Sequence, residues 1–187
     1  MGLLDVLLGR TKPVQPDLDQ LFGLPSAAIT LEAGTRFTAT GTGSVCFKPP
    51  EGGAFAGLRD EIDKLVALDG GKFEETGDGY GFTWLVRRTP PDQLDTLVTD
   101  LHAANSSIAD AGFGQALLCT VVAFSDGRRK LGLVYLYKRG TWYPFAPTGT
   151  ESRDNTLELE VRSVIGTDLK LEDDLSRWFP VYGAPGL

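Results

Sequence analysis

Apolar positions along this chain follow two periods. Phe55, Leu58, Ile62, Leu65 and Val66 recur at helical spacing and Gly70-Gly71 close the stripe, which predicts a helix. A second helix is predicted after Pro90-Pro91, with Leu94, Leu97, Val98, Leu101 and Ile108 on one side and Gly112 and Gly114 at its end. Between these stripes the period drops to two: residues 72–76 and 80–87 read as a hairpin around Gly77-Asp78-Gly79, with Tyr80, Phe82, Trp84 and Val86 on one face. Residues 116–124, 131–137 and 141–145 then read as a meander turning at Ser125-Asp126-Gly127 and Lys138-Arg139-Gly140. Residues 117–124 are apolar on both faces, the pattern of a strand central in its sheet.

The first third is less regular. Leu3, Leu4, Leu7 and Leu8 form one apolar stripe on a short helix, and residues 11–16, with two prolines, read as an extended connector. Residues 17–22 suit one further helical turn, ended by Gly23 and Pro25. Residues 28–31, 36–40 and 44–47 read as three short strands separated by glycines, with Gly41-Thr42-Gly43 as a turn. Near the end, Leu157, Val161, Val164 and Ile165 fit a helix over residues 155–165, although Leu157, Leu159 and Val161 also alternate as a strand would. The expected order is helix, three strands, helix, two strands, helix, three strands, helix. Tight turns between successive strands mean antiparallel pairing, so the expected class is α+β: a mainly antiparallel sheet packed with about three to four helices. The expected organisation is a short helix and connector over residues 1–16, and one α+β domain over 17–187.

Composition narrows the functions. The chain has 187 residues, 42% of them hydrophobic and 23% charged, with no apolar run of membrane-spanning length. A formal net charge of -7 repels polyphosphate, so no nucleic-acid partner is expected. Arg128, Arg129 and Lys130 lie at one end of a predicted strand and Lys138 and Arg139 at the other, which separates the basic residues into hairpin tips. Cys46 and Cys119 fall in separate apolar runs and read as buried, reduced thiols. The N-terminal apolar stretch is short, is interrupted by Asp5 and lacks a cleavage pattern, so a cytoplasmic protein is expected. Without a basic face or an aromatic anchor, the leucine stripe binds bilayers weakly; membrane association would be weak or indirect, at the inner face and through a partner.

The usual reagents of catalysis are missing. His102 is the single histidine and flanks an apolar stripe with no orienting carboxylate in the same motif. One histidine and two unrelated cysteines do not make a zinc site. Gly41-Thr42-Gly43 lacks the third glycine of a dinucleotide fingerprint, and no GxxxxGK[ST] phosphate loop occurs. Asp60-Glu61, Glu74-Glu75 and Asp173-Asp174 read as solvated surface pairs. Neither enzymatic activity nor a cofactor or metal is expected. The alternative is a small-ligand or enzymatic α+β domain with a pocket between helices and sheet.

An aromatic-proline phrase occurs twice: Trp142-Tyr143-Pro144-Phe145-Ala146-Pro147 and Trp178-Phe179-Pro180-Val181-Tyr182-Gly183-Ala184-Pro185. Amphipathic rings beside prolines supply contact area at low entropic cost. One reading is structural, an edge strand ended by prolines and a C-terminal tail laid over the sheet. The other presents part of the set to a partner. The partner-binding candidates are therefore Trp142, Tyr143, Phe145, Trp178, Phe179 and Tyr182, together with Leu3, Leu4 and Leu7.

Pro16-Asp17-Leu18-Asp19-Gln20-Leu21-Phe22, Tyr143-Pro144-Phe145-Ala146-Pro147 and residues 175–187 together resemble the PspA-associated protein PspAB family of the actinobacterial phage-shock system. The resemblance is carried by Met1-Gly2-Leu3-Leu4-Asp5 with Leu8-Gly9-Arg10, by Pro16-Asp17-Leu18-Asp19-Gln20-Leu21-Phe22, and by Leu24-Pro25-Ser26-Ala27-Ala28. It continues in Val98-Thr99-Asp100-Leu101-His102-Ala103, Tyr135-Leu136-Tyr137-Lys138-Arg139-Gly140-Thr141, Tyr143-Pro144-Phe145-Ala146-Pro147 and the end of the chain, residues 175–187. It implies a non-enzymatic accessory protein of an envelope-stress response whose partner is PspA, a coiled-coil peripheral membrane protein. It implies no catalytic or ligand residue.

Overall fold

The computed structural model describes residues 16–48, 54–67 and 71–187. After a 3-10 turn at Leu18–Gly23 come α1 (Leu24–Thr35), β1 (Thr38–Phe47), α2 (Ala54–Val66), β2 (Glu74–Gly77), β3 (Thr83–Arg88) and α3 (Leu94–Ile108). The chain continues through β4 (Leu117–Ser125), β5 (Lys130–Leu136), β6 (Thr141–Phe145) and α4 (Asn155–Ile165), then a last 3-10 turn at Leu175–Arg177. The six strands among the described residues form one sheet in the order β2-β3-β1-β4-β5-β6, every neighbouring pair antiparallel. With four helices among the described residues this is the expected α+β fold.

Two expectations in the first third are corrected. Residues 28–31 are helical, not a strand: they lie inside α1, and Pro25, expected to end a turn, sits in the first turn of that helix, where its missing N–H costs nothing. Ile29 and Thr30 favour strand by a few tenths of a kcal/mol each. Burial of Leu24, Ala27 and Leu31 at helical spacing outweighs that, since fully burying one leucine is worth about 1.5–3 kcal/mol. Arg36, left-handed at φ 70°, ends the helix.

Residues 36–40 and 44–47 are likewise not two strands around a turn but one bulged strand, β1. Its register against β4 shifts between Ala39 and Gly43, and Gly41 takes up the irregularity at φ 78°. A Cβ at Gly41 would stand 2.1 Å from the carbonyl oxygen of Thr89, so only glycine fits. The expected last helix is present as α4, capped by the Asp154 carboxylate, which accepts from the Leu157 N–H at 3.0 Å. The leucine stripe expected at residues 3–8 lies outside the described residues.

The two faces of the sheet are covered differently. On one, Val45, Leu85, Val122, Phe124, Tyr135 and Trp142 meet apolar stripes of α1, α3 and α4, including Leu31, Leu97, Leu101, Val161 and Ile165. Buried polar contacts there include Arg87 Nε donating to Asp100 Oδ2 at 2.6 Å and Asn105 Nδ2 donating to Thr120 Oγ1 at 2.9 Å. The other face carries Trp84, Val86, Cys46, Cys119, Val121, Val134, Tyr143 and Phe145. The residues packed on it include Trp178, Val181, Tyr182, Ala184 and Leu187 of the C-terminal tail, and none comes from a described helix.

Candidate functional site

The tail is held at several points. Trp178 Nε1 donates to the Glu172 carbonyl at 3.0 Å, Arg153 Nη1 to the Trp178 carbonyl at 2.7 Å, and Tyr143 Oη to the Phe179 carbonyl at 2.8 Å. Farther on, Gly186 at φ 94° lets the chain press onto the sheet; a Cβ there would sit 2.9 Å from that of Ala123. The two aromatic-proline phrases pack on one another. Tyr143 stacks with Trp178 at 5.9 Å between ring centroids, and Phe145 meets Tyr182 edge-on at 5.3 Å.

Two buried carboxylates brace this arrangement. Glu172 accepts from Thr141 Oγ1 at 2.8 Å and forms an ion pair with Arg139. Burial works to raise its pKa, but the hydrogen bonds from Arg139, Thr141 and the Asp174 N–H outweigh it and hold the carboxyl below the usual range. Glu158 accepts from the Ala146 N–H at 2.8 Å and from Arg153 Nε at 2.8 Å. Sequence reasoning passed over both, because it weighed adjacent acidic pairs. Their one signal is an acidic residue beside the apolar positions Leu157 and Leu171.

Between the tail and the sheet lies a cleft of about 630 Å³. Its floor is a row of cross-strand neighbours: Trp84 of β3 pairs with Cys46 of β1, Cys46 with Cys119 of β4, and Cys119 with Leu136 of β5. Residues directly opposite in an antiparallel pair share a face, so the row lines one trough. Phe179, Pro180, Val181 and Tyr182 form the opposite wall. Asp78 and Tyr80 stand at the β2–β3 end, and Lys138 and Arg139, from the β5–β6 turn, with Arg177 mark the other.

The Cys46 thiol has little chemistry to offer. Cys46 and Cys119 are both free and buried. A hydrogen bond with Cys119 and then burial push the Cys46 thiol far above the ordinary range, which leaves it protonated and un-nucleophilic. Asp78 is held by its own loop: it accepts from the N–H groups of Tyr80 (2.8 Å) and Phe82 (3.0 Å) and from Trp84 Nε1 (3.0 Å). Burial opposes these bonds, yet they keep its carboxyl below the usual range.

The sequence-derived site residues are divided by this geometry. Trp142 is fully buried on the helix-covered face, its Nε1 donating to the Gln20 carbonyl at 3.3 Å. Tyr143 and Phe145 are buried beneath the tail, and Trp178 is buried within it. Phe179 is 57% exposed and Tyr182 partly so. Leu3, Leu4 and Leu7 lie outside the described residues. His102 faces Asp19 at 3.6 Å and Phe22, away from the cleft. Among the described residues no cluster of His, Cys, Asp or Glu has the arrangement of a metal site, and no helix is long and apolar enough to cross a membrane.

The model of the family described as PspAB, PspA associated protein B, matches residues 1–186. The chain belongs to the PspAB family. The match takes in β6, the tail that closes over it and the cleft between tail and sheet, so these are parts of a PspAB protein and not appendages to one. No match was found among curated proteins or among solved structures.

Proposed function

We propose that this PspAB protein is a non-enzymatic accessory protein of a PspA-type envelope-stress response, and that it binds a PspA-like coiled coil through the outward side of its tail. The family description supports the link to PspA. The observation that carries the docking surface is a set of apolar side chains left in water on either side of Trp178: Leu159 is 48% exposed, Leu175 50% and Phe179, next in sequence to Trp178, 57%. Leu159 and Leu175 flank a recess of about 300 Å³ that has buried Trp178 in its wall. A helix of a coiled coil offers apolar anchors at i, i+3, i+4 and i+7, which suits a short apolar ridge backed by a rigid ring.

Calorimetry with the full chain and a purified PspA-like coiled coil tests the reading. Saturable binding is expected, weakened about tenfold or more by Phe179→Ala or Leu175→Asp, the range of a mid-sized interface anchor. Both positions are exposed, so the variants keep their fold. Absence of binding, or binding indifferent to both substitutions, refutes the reading. Trp178→Ala is a poor probe, because that ring is structural.

A further inference from the structure

We propose that the cleft between tail and sheet is a binding site for a single-chain anionic amphiphile, a free fatty acid, with its alkyl chain along the cysteine row and its carboxylate at the β5–β6 end. The docking reading shares one residue with this site, Phe179 in the cleft wall, while Leu159 and Leu175 lie outside it.

The floor crosses four adjacent strands, from Trp84 through Cys46 and Cys119 to Leu136. At the usual spacing between strands that is a trough of roughly 14 Å. Two small thiols occupy its middle and leave the floor low between a tryptophan and a leucine, which gives room for a chain lying across the strands. The lining is apolar and aromatic with polar groups confined to the ends, the composition of a site for an apolar ligand, and about 630 Å³ is in the range of such sites.

Charge fixes the direction. At the β2–β3 end Asp78 is already satisfied by its own loop and offers a negative charge. At the other end Arg139 is paired with Glu172 and Arg177 with Asp174, but Lys138 is exposed and makes no ion pair among the described residues. A ligand anion therefore finds an unengaged ammonium at one mouth and a carboxylate at the other. Cys46, whose thiol is held protonated by its hydrogen bond with Cys119 and by burial, carries no charge and meets the ligand only through contact.

The test is calorimetric titration of the full chain with laurate below its micelle concentration, in parallel with methyl laurate and with vesicles of neutral and anionic phospholipid. Laurate is expected to bind saturably at one site, and the ester about tenfold more weakly for want of the charge-assisted contact. Lys138→Glu, at an exposed turn position, should produce a similar loss for the acid. Leu118→Trp, which fills the cleft from its wall, should abolish binding; circular dichroism checks that each variant is folded, and Leu118→Phe serves if the tryptophan is not tolerated. No saturable binding of laurate overturns the proposal. So does equal affinity for acid and ester, unchanged affinity in the Lys138 variant or in the folded cleft-filling variant, or binding confined to vesicles. PspA binding that fails while laurate binds leaves this site standing, and the reverse result removes it alone.

Discussion

The helix-covered and tail-covered faces of the sheet are built from the same strands and sealed by different means. On the first, helices bring whole apolar stripes, and Trp142, Tyr135 and Leu101 are fully buried. On the second, the tail brings Trp178, Val181, Tyr182, Ala184 and Leu187, anchored by a few directed hydrogen bonds. Secondary structure buries surface by the turn, whereas an irregular strap must satisfy each backbone group separately and leaves gaps where it does not reach. The cleft over Cys46 and Cys119 is such a gap.

The sharpest way to break this comparison is to remove one tryptophan from each face. Trp142→Ala should lower global stability by about 3–5 kcal/mol in urea denaturation, as large-to-small changes in a full core do. Trp178→Ala should cost about 1–3 kcal/mol, because a terminal strap can detach without opening the whole core, and should expose the C-terminal residues to limited proteolysis. Equal losses with intact tails would show that the faces are one cooperative unit.

Acid should separate the faces next. The Glu172 carboxyl titrates below its unfolded value, so its stabilisation is complete above about pH 4.3, the ordinary glutamate range, and drains as pH falls through the lower folded value. Since Glu172 holds Arg139 and Thr141 and its carbonyl accepts from Trp178, the tail should loosen in that window. Emission of Trp178 in a protein whose other tryptophans are replaced by phenylalanine would follow it. A tail transition at neutral pH, or none apart from global unfolding, contradicts this assignment. The smallest effect belongs to Phe179→Ala, expected to change stability by no more than about 0.5 kcal/mol because the ring stands mostly in water. A larger loss would place that ring in the fold.

Much of the helix-covered face was legible in the chain. The stripe Leu94-Leu97-Val98-Leu101-Ile108 gave α3, since local period reports a face that is buried by a regular neighbour; the alternation Trp84-Val86 gave β3 as well, although its apolar side faces the tail. Helix α1 was missed because Ile29 and Thr30 favour strand locally and because Pro25 serves a helix start as readily as a stop. The bulge at Gly41 looked like a turn, since a left-handed glycine is required by both. The cleft was invisible for a different reason. Cys46 and Cys119 become neighbours only through β1–β4 pairing, and no local pattern announces which distant strands will pair. The twin aromatic phrases were conspicuous, but their mutual stacking, Tyr143 on Trp178 and Phe145 on Tyr182, is a tertiary fact.

Arg153 reaches in two directions. Its Nε holds Glu158 within α4, and its Nη1 holds the carbonyl of Trp178, the residue before Phe179. Glu158 in turn takes the N–H of Ala146 just beyond β6. A load applied at Phe179 therefore reaches β6 directly through Tyr143 Oη, and the guanidinium carries part of it to the first turns of a helix. Tugging on the tail strains the helical layer at this rivet, and the opposite side of the sheet registers what happens to the strap.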